Sequence, residues 1–141
     1  MRDLVGTHAG YTDWKVMKQE RVNQFADATD DHQWIHVDVE RAKQSPFGGT
    51  IAHGFLTLSL LAPITQELVA VSDATTGINY GLDRVRFPAP IPVGAEWRGG
   101  AELVEVSDVP GGIQMKLRVT VEVKGSEKPA MVADSLVRLY G

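Results

Sequence analysis

The sequence predicts a single α+β domain in which a long antiparallel sheet wraps around one buried helix. Two observations support this prediction. The first half of the 141-residue chain has helical periodicity, and the second half contains four long stretches typical of strands. Helices followed by a run of antiparallel strands are the pattern of α+β proteins. A chain of this length can build its own hydrophobic core, so we assign residues 1–141 to one domain.

The composition excludes several classes of function. The formal net charge is −4 and the sequence pI is near 5.5, which gives no electrostatic footprint for nucleic acid or an anionic membrane. Because there is no cysteine, disulfides, zinc–thiolate sites and thiol nucleophiles are excluded, and we expect a cytoplasmic protein. The N-terminus has no apolar segment of signal-peptide length. The longest apolar run, 55–68, is broken by polar residues and Pro63, so we expect no membrane span.

Two amphipathic or capped helices are expected early in the chain. After a short opening strand at 14–16, apolar residues recur at helical spacing over 19–29. Asp38 is a good N-cap for a second, short helix over 39–44. Pro46 and the two glycines after it would end that helix.

The most apolar helix is expected over 54–71, with Ser72 and Asp73 closing it. This stretch lacks a polar face wide enough for ordinary surface exposure. We therefore expect the sheet to wrap around it.

Four long strands are expected in the second half of the chain. Their predicted bounds are Gly77–Phe87, Glu96–Val106, Ile113–Lys124 and Ala130–Tyr140. The third alternates apolar and polar residues along its length, which predicts one buried and one wet face. Pro110-Gly111-Gly112 and the segment 125–129 are expected to form turns between antiparallel neighbours. The proline-rich segment 88–92 must form a loop or an edge, because proline cannot donate to a central ladder.

The candidate site begins with a carboxylate and an imidazole between two helical stretches. Asp31 and His36 lie five positions apart. On one continuous helix they would point roughly 140° apart, so they converge only if the chain leaves the helix between them. If they converge, they can hold a water molecule as an acid–base pair. The alternative is structural, with Asp31 as a turn residue and His36 as a satisfied histidine next to Asp38.

His53 and Gly54 form the second element of the candidate site, at the start of the most apolar helix. The first N–H groups of a helix are unpaired and carry partial positive charge, which suits an oxygen that gains negative charge. Glycine lowers helix propensity, so Gly54 suggests close approach of another group to the backbone. The alternative is a glycine that only eases a tight turn into the helix.

Other polar residues are weaker candidates. Ser59 either lines a pocket or bonds to its own helix backbone. Arg84 and Arg86 share one face of a strand and could meet phosphates, although a solvated charged face is the more frequent explanation. His32 follows Asp31 directly and therefore projects to another side, where we expect a rim or surface position.

We expect no metal site. The possible ligands are Asp31, His32, His36 and His53. None of their spacings matches a compact pair, such as two histidines at i and i+4 of one helix.

The order of these elements resembles the MaoC-like hydratases, the (R)-specific enoyl-CoA hydratases of the hot-dog fold. The resemblance covers most of the chain, roughly Lys18 to the C-terminus. The matching segments are Phe25-Ala26-Asp27-Ala28-Thr29 ahead of Asp31 and His36, then Ala42, Ile51-Ala52-His53-Gly54, and Val85-Arg86-Phe87-Pro88-Ala89-Pro90-Ile91-Pro92-Val93-Gly94.

The hydratase motif of that family runs Gly-Asp-x-Asn-Pro-aliphatic-His. Its two chemical groups are kept here, as Asp31 and His36, and its aliphatic position is Ile35. Three supporting positions differ: Asp30, Gln33 and Trp34 stand where the motif has Gly, Asn and Pro.

The resemblance implies a homodimer whose two sheets join, acting on a trans-2-enoyl thioester of coenzyme A. Asp31 and His36 would activate one water, which adds to Cβ while a proton reaches Cα from the same side to give an (R)-3-hydroxyacyl thioester. The Gly54 N–H would bind the thioester oxygen, and the set of oxyanion- or substrate-binding candidates is Gly54, His53, Ser59 and Arg86. No metal or redox cofactor would be needed, because the thioester itself acidifies the α-carbon.

Two alternatives stay open. A thioesterase on the same fold would direct water at the carbonyl carbon, and a non-catalytic subunit would only bind the acyl thioester. The pairing of Asp31 with His36 favours hydration, since addition across a double bond needs protons handled at two places. The sequence does not specify acyl chain length, pathway, or coenzyme A against acyl carrier protein.

Overall fold

Six strands form one antiparallel sheet in the computed structural model, which describes residues 2–71 and 74–141. The strands are β1 (His8–Tyr11), β2 (Lys15–Val16), β3 (Thr76–Arg86), β4 (Glu96–Val109), β5 (Gly112–Val123) and β6 (Met131–Tyr140). Their order across the sheet is β1-β4-β5-β6-β3, and β2 pairs with β4 beyond the end of β1. The helices precede the long strands in the chain, so the predicted α+β class is confirmed.

The helices occupy the first half of the chain, after a short 3-10 turn at Arg2–Leu4. They are α1 (Gln19–Thr29), α2 (Trp34–Val37), α3 (Val39–Lys43), α4 (Gly54–Ser59) and α5 (Leu61–Leu68). The bounds predicted for α1 are confirmed, and α3 ends one residue earlier than predicted. The predicted N-cap of α3 is confirmed as well, because Asp38 Oδ1 accepts a hydrogen bond from the Arg41 N–H at 3.1 Å.

The prediction of one long helix over 54–71 is wrong. Two helices, α4 and α5, meet at Leu60, and α5 ends at Leu68. Pro63 explains the break, since proline has no N–H for the carbonyl of Ser59 and its ring crowds that carbonyl. The predicted closure at Ser72 and Asp73 lies outside the described residues.

The four long strands are confirmed, with bounds that differ by at most three residues from those predicted. In β5 the buried residues are Met115, Leu117, Val119, Val121 and Val123. This is the alternation that the sequence predicts. A two-residue turn, Pro110-Gly111, joins β4 to β5, and Gly111 adopts the positive φ of +81° that the turn needs. Strand β1 was not predicted, because its four residues carry no period-two pattern of apolar side chains.

The core lies between one face of the sheet and the helices α4 and α5. Its sheet side includes Trp97, Ala101 and Leu117, and its helix side includes Leu56 and Ile64. Helix α5 approaches the sheet closely at Gly99 of β4. A Cβ built there would lie 2.8 Å from Ile64 Cγ2, so the absence of a side chain lets α5 lie directly on the sheet.

The segment Thr50–Ala52 joins the site region to the rest of the fold. The Ile51 N–H donates to the Ile35 carbonyl at 3.0 Å, and the Ala52 N–H donates to the Ile91 carbonyl at 2.9 Å. Ile51 also forms an isolated bridge with Pro92, inside the proline-rich segment that was predicted to lie outside the central ladder. This segment therefore ties α2 to the start of β4.

Within the ranges that the structure describes, no helix is both long and apolar enough to cross a membrane.

We expect Gly99→Ala to destabilise the fold, because the added methyl group overlaps Ile64. Overpacking of this kind costs about 1–3 kcal/mol of unfolding free energy. Urea unfolding monitored by tryptophan fluorescence measures it. Adding Ile64→Val should recover part of the loss, whereas Gly49→Ala, where a Cβ meets nothing within 4 Å, serves as the control. A Gly99→Ala variant as stable as the wild type would contradict the packing described.

Candidate active site

A left-handed turn at Asp30 brings Asp31 out of helix α1. Asp30 has φ 62° and ψ 24°, and its N–H donates to the Ala26 carbonyl, as in an αL helix end. Aspartate tolerates this conformation better than most residues with a side chain. The chain then stays non-helical until α2 begins at Trp34. The break that convergence of Asp31 with His36 requires is therefore present.

His36 is fixed by hydrogen bonds from both its ring and its backbone. The side chain is buried, and Nδ1 lies 2.7 Å from the Ile51 carbonyl oxygen. A carbonyl only accepts, so Nδ1 carries the proton and the Nε2 of the neutral ring keeps a lone pair. The His36 carbonyl accepts from Gln19 Nε2 at 2.7 Å, and the Thr50 hydroxyl donates to Gln19 Oε1 at 2.6 Å.

His53 packs directly on His36. Its ring centroid lies 3.9 Å from that of His36, with 25° between the ring planes, and its side chain is 2% exposed. The His53 Nε2–H donates to the backbone carbonyl of Asp31 at 3.0 Å. Phe25 of α1 lies against the same ring, with centroids 4.8 Å apart. The residue proposed from sequence as an oxyanion or substrate ligand is thus buried against Asp31 and His36.

Asp31, His36 and His53 come together in space. Each offers one side-chain oxygen or nitrogen, and these atoms lie within 4.8 Å of one another. Three such groups could in principle hold a metal ion. However, imidazole lone pairs lie in the ring planes, and two rings stacked 25° from parallel do not aim their lone pairs at one point. The arrangement suits proton transfer better than chelation.

The Asp31 carboxylate has room for further hydrogen bonds. It is half-buried, and its Oδ1 accepts a long bond of 3.4 Å from the Gln33 N–H. A carboxylate has about four acceptor positions, so one weak bond uses little of this capacity. A water molecule or a substrate proton can therefore be accommodated there.

Gly54 is the first residue of α4 and is exposed. The N-cap His53 makes no side-chain hydrogen bond to this helix end, so the first N–H groups of α4 are left for another acceptor. A Cβ at position 54 would touch the Phe87 ring at 3.5 Å, an ordinary contact. Protein packing alone therefore does not require glycine here.

The remaining candidates bond to residues outside the cluster. The Ser59 hydroxyl donates to the Leu56 carbonyl at 2.6 Å, so it bonds to its own helix backbone, one of the two alternatives considered from sequence. Ser59 also borders a cavity of about 400 Å³ between α4, α5 and β3. Arg86 is exposed and its guanidinium donates to the Val85 carbonyl at 2.8 Å. Because Val85 packs on the core, Arg84 and Arg86 lie on the opposite face of the sheet. His32 is on the surface as expected, paired with Asp27 at 2.9 Å.

Residues 2–125 match the family described as MaoC like domain. The chain belongs to this family. The 3-hydroxyacyl-thioester dehydratase Z of Mycobacterium tuberculosis is 54% identical over 134 residues, which are 94% of this chain and 89% of that protein. Nodulation protein N of Rhizobium meliloti is 46% identical, over 93% of this chain and 83% of its own length.

Solved structures confirm the fold. The chain is similar to an (R)-hydratase from A. caviae involved in PHA biosynthesis, with a TM-score of 0.76, 24% identity and 96% of each chain covered. The predicted hot-dog fold is therefore confirmed, with the correction that two short helices replace the single long one. The predicted enzyme class is confirmed too: the protein is a hydro-lyase of the dehydratase type.

The three departures from the MaoC-like motif have local physical explanations. Asp30 occupies the glycine position and adopts a left-handed conformation, which glycine takes without steric cost. Trp34, in the proline position, is the first residue of α2, where proline is favoured but not required. Its ring lies 4.3 Å below the Arg41 guanidinium. Gln33 takes the asparagine position as N-cap of α2 without a side-chain capping bond.

Gln19 and Thr50 were not identified from the sequence. Both support His36 through its backbone carbonyl, and neither belongs to the motif that carries the resemblance. Gln19 is only the first residue of an amphipathic helix, so the sequence carries no signal for its contact with a residue 17 positions away.

The pKa of His53 is lowered. Burial of the ring is the main cause, the neighbouring His36 lowers the pKa further, and the bond to the Asp31 carbonyl opposes both. His53 is therefore neutral in the folded protein near neutral pH, in agreement with its stacking on a second imidazole.

We expect the unfolding free energy to fall as the pH drops below about 6.5, the ordinary pKa of histidine. The folded state holds His53 below that value, so the unfolded state binds more protons and stability decreases on acidification. Urea unfolding of the wild type and of His53→Gln at several values between pH 7.5 and 5.5 measures this. The difference in unfolding free energy between wild type and His53→Gln should become smaller toward low pH. A difference that stays constant with pH would contradict the lowered pKa of His53.

Proposed function

We propose that the protein is an (R)-specific enoyl-CoA hydratase, which adds water reversibly to a trans-2-enoyl-CoA to give an (R)-3-hydroxyacyl-CoA. The observation that best supports this is the convergence of Asp31 with His36, whose Nδ1 is already engaged by Ile51. Its Nε2 is the nitrogen left for proton transfer. The name of the mycobacterial relative supports the same chemistry in the direction of dehydration.

In the proposed mechanism, one water molecule sits between the Asp31 carboxylate and the His36 Nε2. The pair takes a proton from the water as its oxygen bonds to Cβ, and a proton is delivered to Cα on the same face. Negative charge gathers on the thioester oxygen, where the Gly54 N–H at the start of α4 would hold it. The thioester supplies the electron sink, so the proposal includes no metal and no redox cofactor. The carrier is coenzyme A in this proposal, with acyl carrier protein as the second possibility.

We also propose that the protein is a homodimer joined through β3. Among the described strands, β3 has a partner on one side only, and its 11 residues are almost all exposed. Ile78, Tyr80 and Leu82 are 40% to 57% exposed. A long exposed edge with apolar side chains invites pairing with another strand. A second copy of β3 would extend the sheet across the pair.

The lack of cysteine is compatible with the predicted cytoplasmic location.

We expect Asp31→Asn and His36→Ala each to lower hydration of crotonyl-CoA about a hundredfold or more, as loss of a positioned acid–base group does. Loss of enoyl absorbance measures the rate, with EDTA present throughout. Asp27→Asn and His32→Gln are matched controls, because that pair lies on the surface beside the same turn.

Near-wild-type turnover in either site variant, with the fold intact by circular dichroism, would overturn the assignment of the pair. Free thiol is measured in the same reactions with a thiol reagent. Release of thiol without hydration would favour a thioesterase, and binding without either reaction would favour a non-catalytic subunit.

For the dimer, we expect Tyr80→Glu and Ile78→Lys, each made alone, to produce monomers. Each variant places the same charge on both copies of the edge, which opposes their pairing. Sedimentation velocity measures the oligomeric state. Val16→Glu, at the opposite edge of the sheet and 47% exposed, is the control and should leave the dimer intact. A wild-type protein that sediments as a monomer at tens of micromolar would contradict the proposal.

A further inference from the structure

His53 is buried and is bonded through both its backbone and its ring. Its carbonyl accepts from the Thr57 N–H at 3.0 Å and from the Thr57 hydroxyl at 3.2 Å, and Leu56 and Thr57 are buried. Asp31 lies in an irregular turn and His36 in a helix of four residues. Short elements of this kind have little rigidity of their own. His53 ties both of them to the start of α4.

The two contacts of His53 act on different degrees of freedom. The bond from Nε2–H to the Asp31 carbonyl fixes the backbone from which the carboxylate projects. The stacked ring limits rotation of the His36 ring out of its plane, and the Nδ1 bond to Ile51 limits rotation within that plane. Together these contacts determine the direction in which the lone pair of His36 Nε2 points.

Direct contact of His53 with a substrate is hard to reconcile with its environment. The side chain is 2% exposed, one ring face lies on His36, and Nε2 is engaged. The Nδ1 atom is buried without a hydrogen-bond partner. Phe25 and His36 lie against the ring, and the charged or titratable groups that influence it are Asp31, His36 and the exposed His32. A neutral ring among them adds no charge beside a His36 that gains a proton during the reaction.

We propose that His53 is a positioning residue, which holds the Asp31 carboxylate and the His36 Nε2 in the relative orientation that hydration of the thioester requires. This rests on the proposed function. It replaces the sequence-based expectation that His53 binds the substrate. In this role His53 changes the rate of the chemical step and leaves the affinity for the thioester nearly unchanged.

Two substitutions separate the two contacts. His53→Phe keeps a ring to stack on His36 but loses the donor to the Asp31 carbonyl. His53→Gln keeps an N–H donor at a similar distance from the backbone but loses the ring. We expect each to lower kcat for crotonyl-CoA about tenfold, and His53→Ala about a hundredfold, with KM changed less than about threefold.

The loss should depend on the pair that His53 positions. In an Asp31→Asn background, His53→Phe should lower the residual rate less than twofold. The amide introduced there cannot accept a proton as the carboxylate does, so its exact position no longer affects the rate. His32→Phe is the matched control, since His32 neighbours Asp31 but is exposed. A rise in KM with unchanged kcat would overturn the proposal in favour of substrate contact. Rates within twofold of the wild type in both His53 variants would overturn it too.

A measurement without turnover tests the arrangement itself. The chain has four histidines, so long-range ¹H–¹⁵N spectra can resolve each ring. We expect His53 to be the Nε2–H tautomer, with its ring proton protected from exchange. We expect His36 to be the Nδ1–H tautomer, and its ring nitrogen resonances should shift in His53→Phe. The other tautomer of His53, or rapid exchange, would overturn the inference even if a variant fails to fold. An inactive wild type with these tautomers would overturn only the hydratase assignment.

Discussion

The site depends on the hydrogen bonds made by the backbone of Ile51. Its carbonyl accepts from the His36 ring at 2.7 Å, and its N–H donates to the Ile35 carbonyl at 3.0 Å. These two bonds join α2 to the segment that leads into α4. Without them His36, on a helix of four residues, would be held toward Gly54 only by its stacking on His53 and by Gln19. The bond to the ring also selects the tautomer, so one interaction determines both the position of the imidazole and which of its nitrogens faces the site.

The second constraint is conformational. A helix that continued past Thr29 would send Asp31 and His36 in different directions, and the left-handed residue Asp30 prevents this. A non-glycine residue in this conformation has a small energetic cost, which surrounding contacts must offset. Here the Asp30 and Asp31 N–H groups both donate to the Ala26 carbonyl, and His53 holds the Asp31 carbonyl. The turn is thus stabilised in part by His53, a residue of the same site.

Local patterns determined how much of this structure the sequence could predict. The alternation along β5, the Asp38 cap and the bounds of α1 are properties of neighbouring residues, and they were predicted. The break at Leu60 also had a local signal in Pro63, which the apolar character of the stretch concealed. The role of Gln19 and the stacking of His53 on His36 depend on residues 17 positions apart in the chain. Residue types and spacing do not encode such contacts.

The same physical terms explain why a neutral imidazole suits position 53. A lysine or arginine there would need solvation that the buried position denies, and a carboxylate would repel Asp31. An aliphatic side chain would pack but leave the Asp31 carbonyl without its donor. Histidine with a lowered pKa combines a flat apolar face with one N–H in a buried space. In the proposed role it would orient Asp31 and His36 without adding a charge that competes with the proton being transferred.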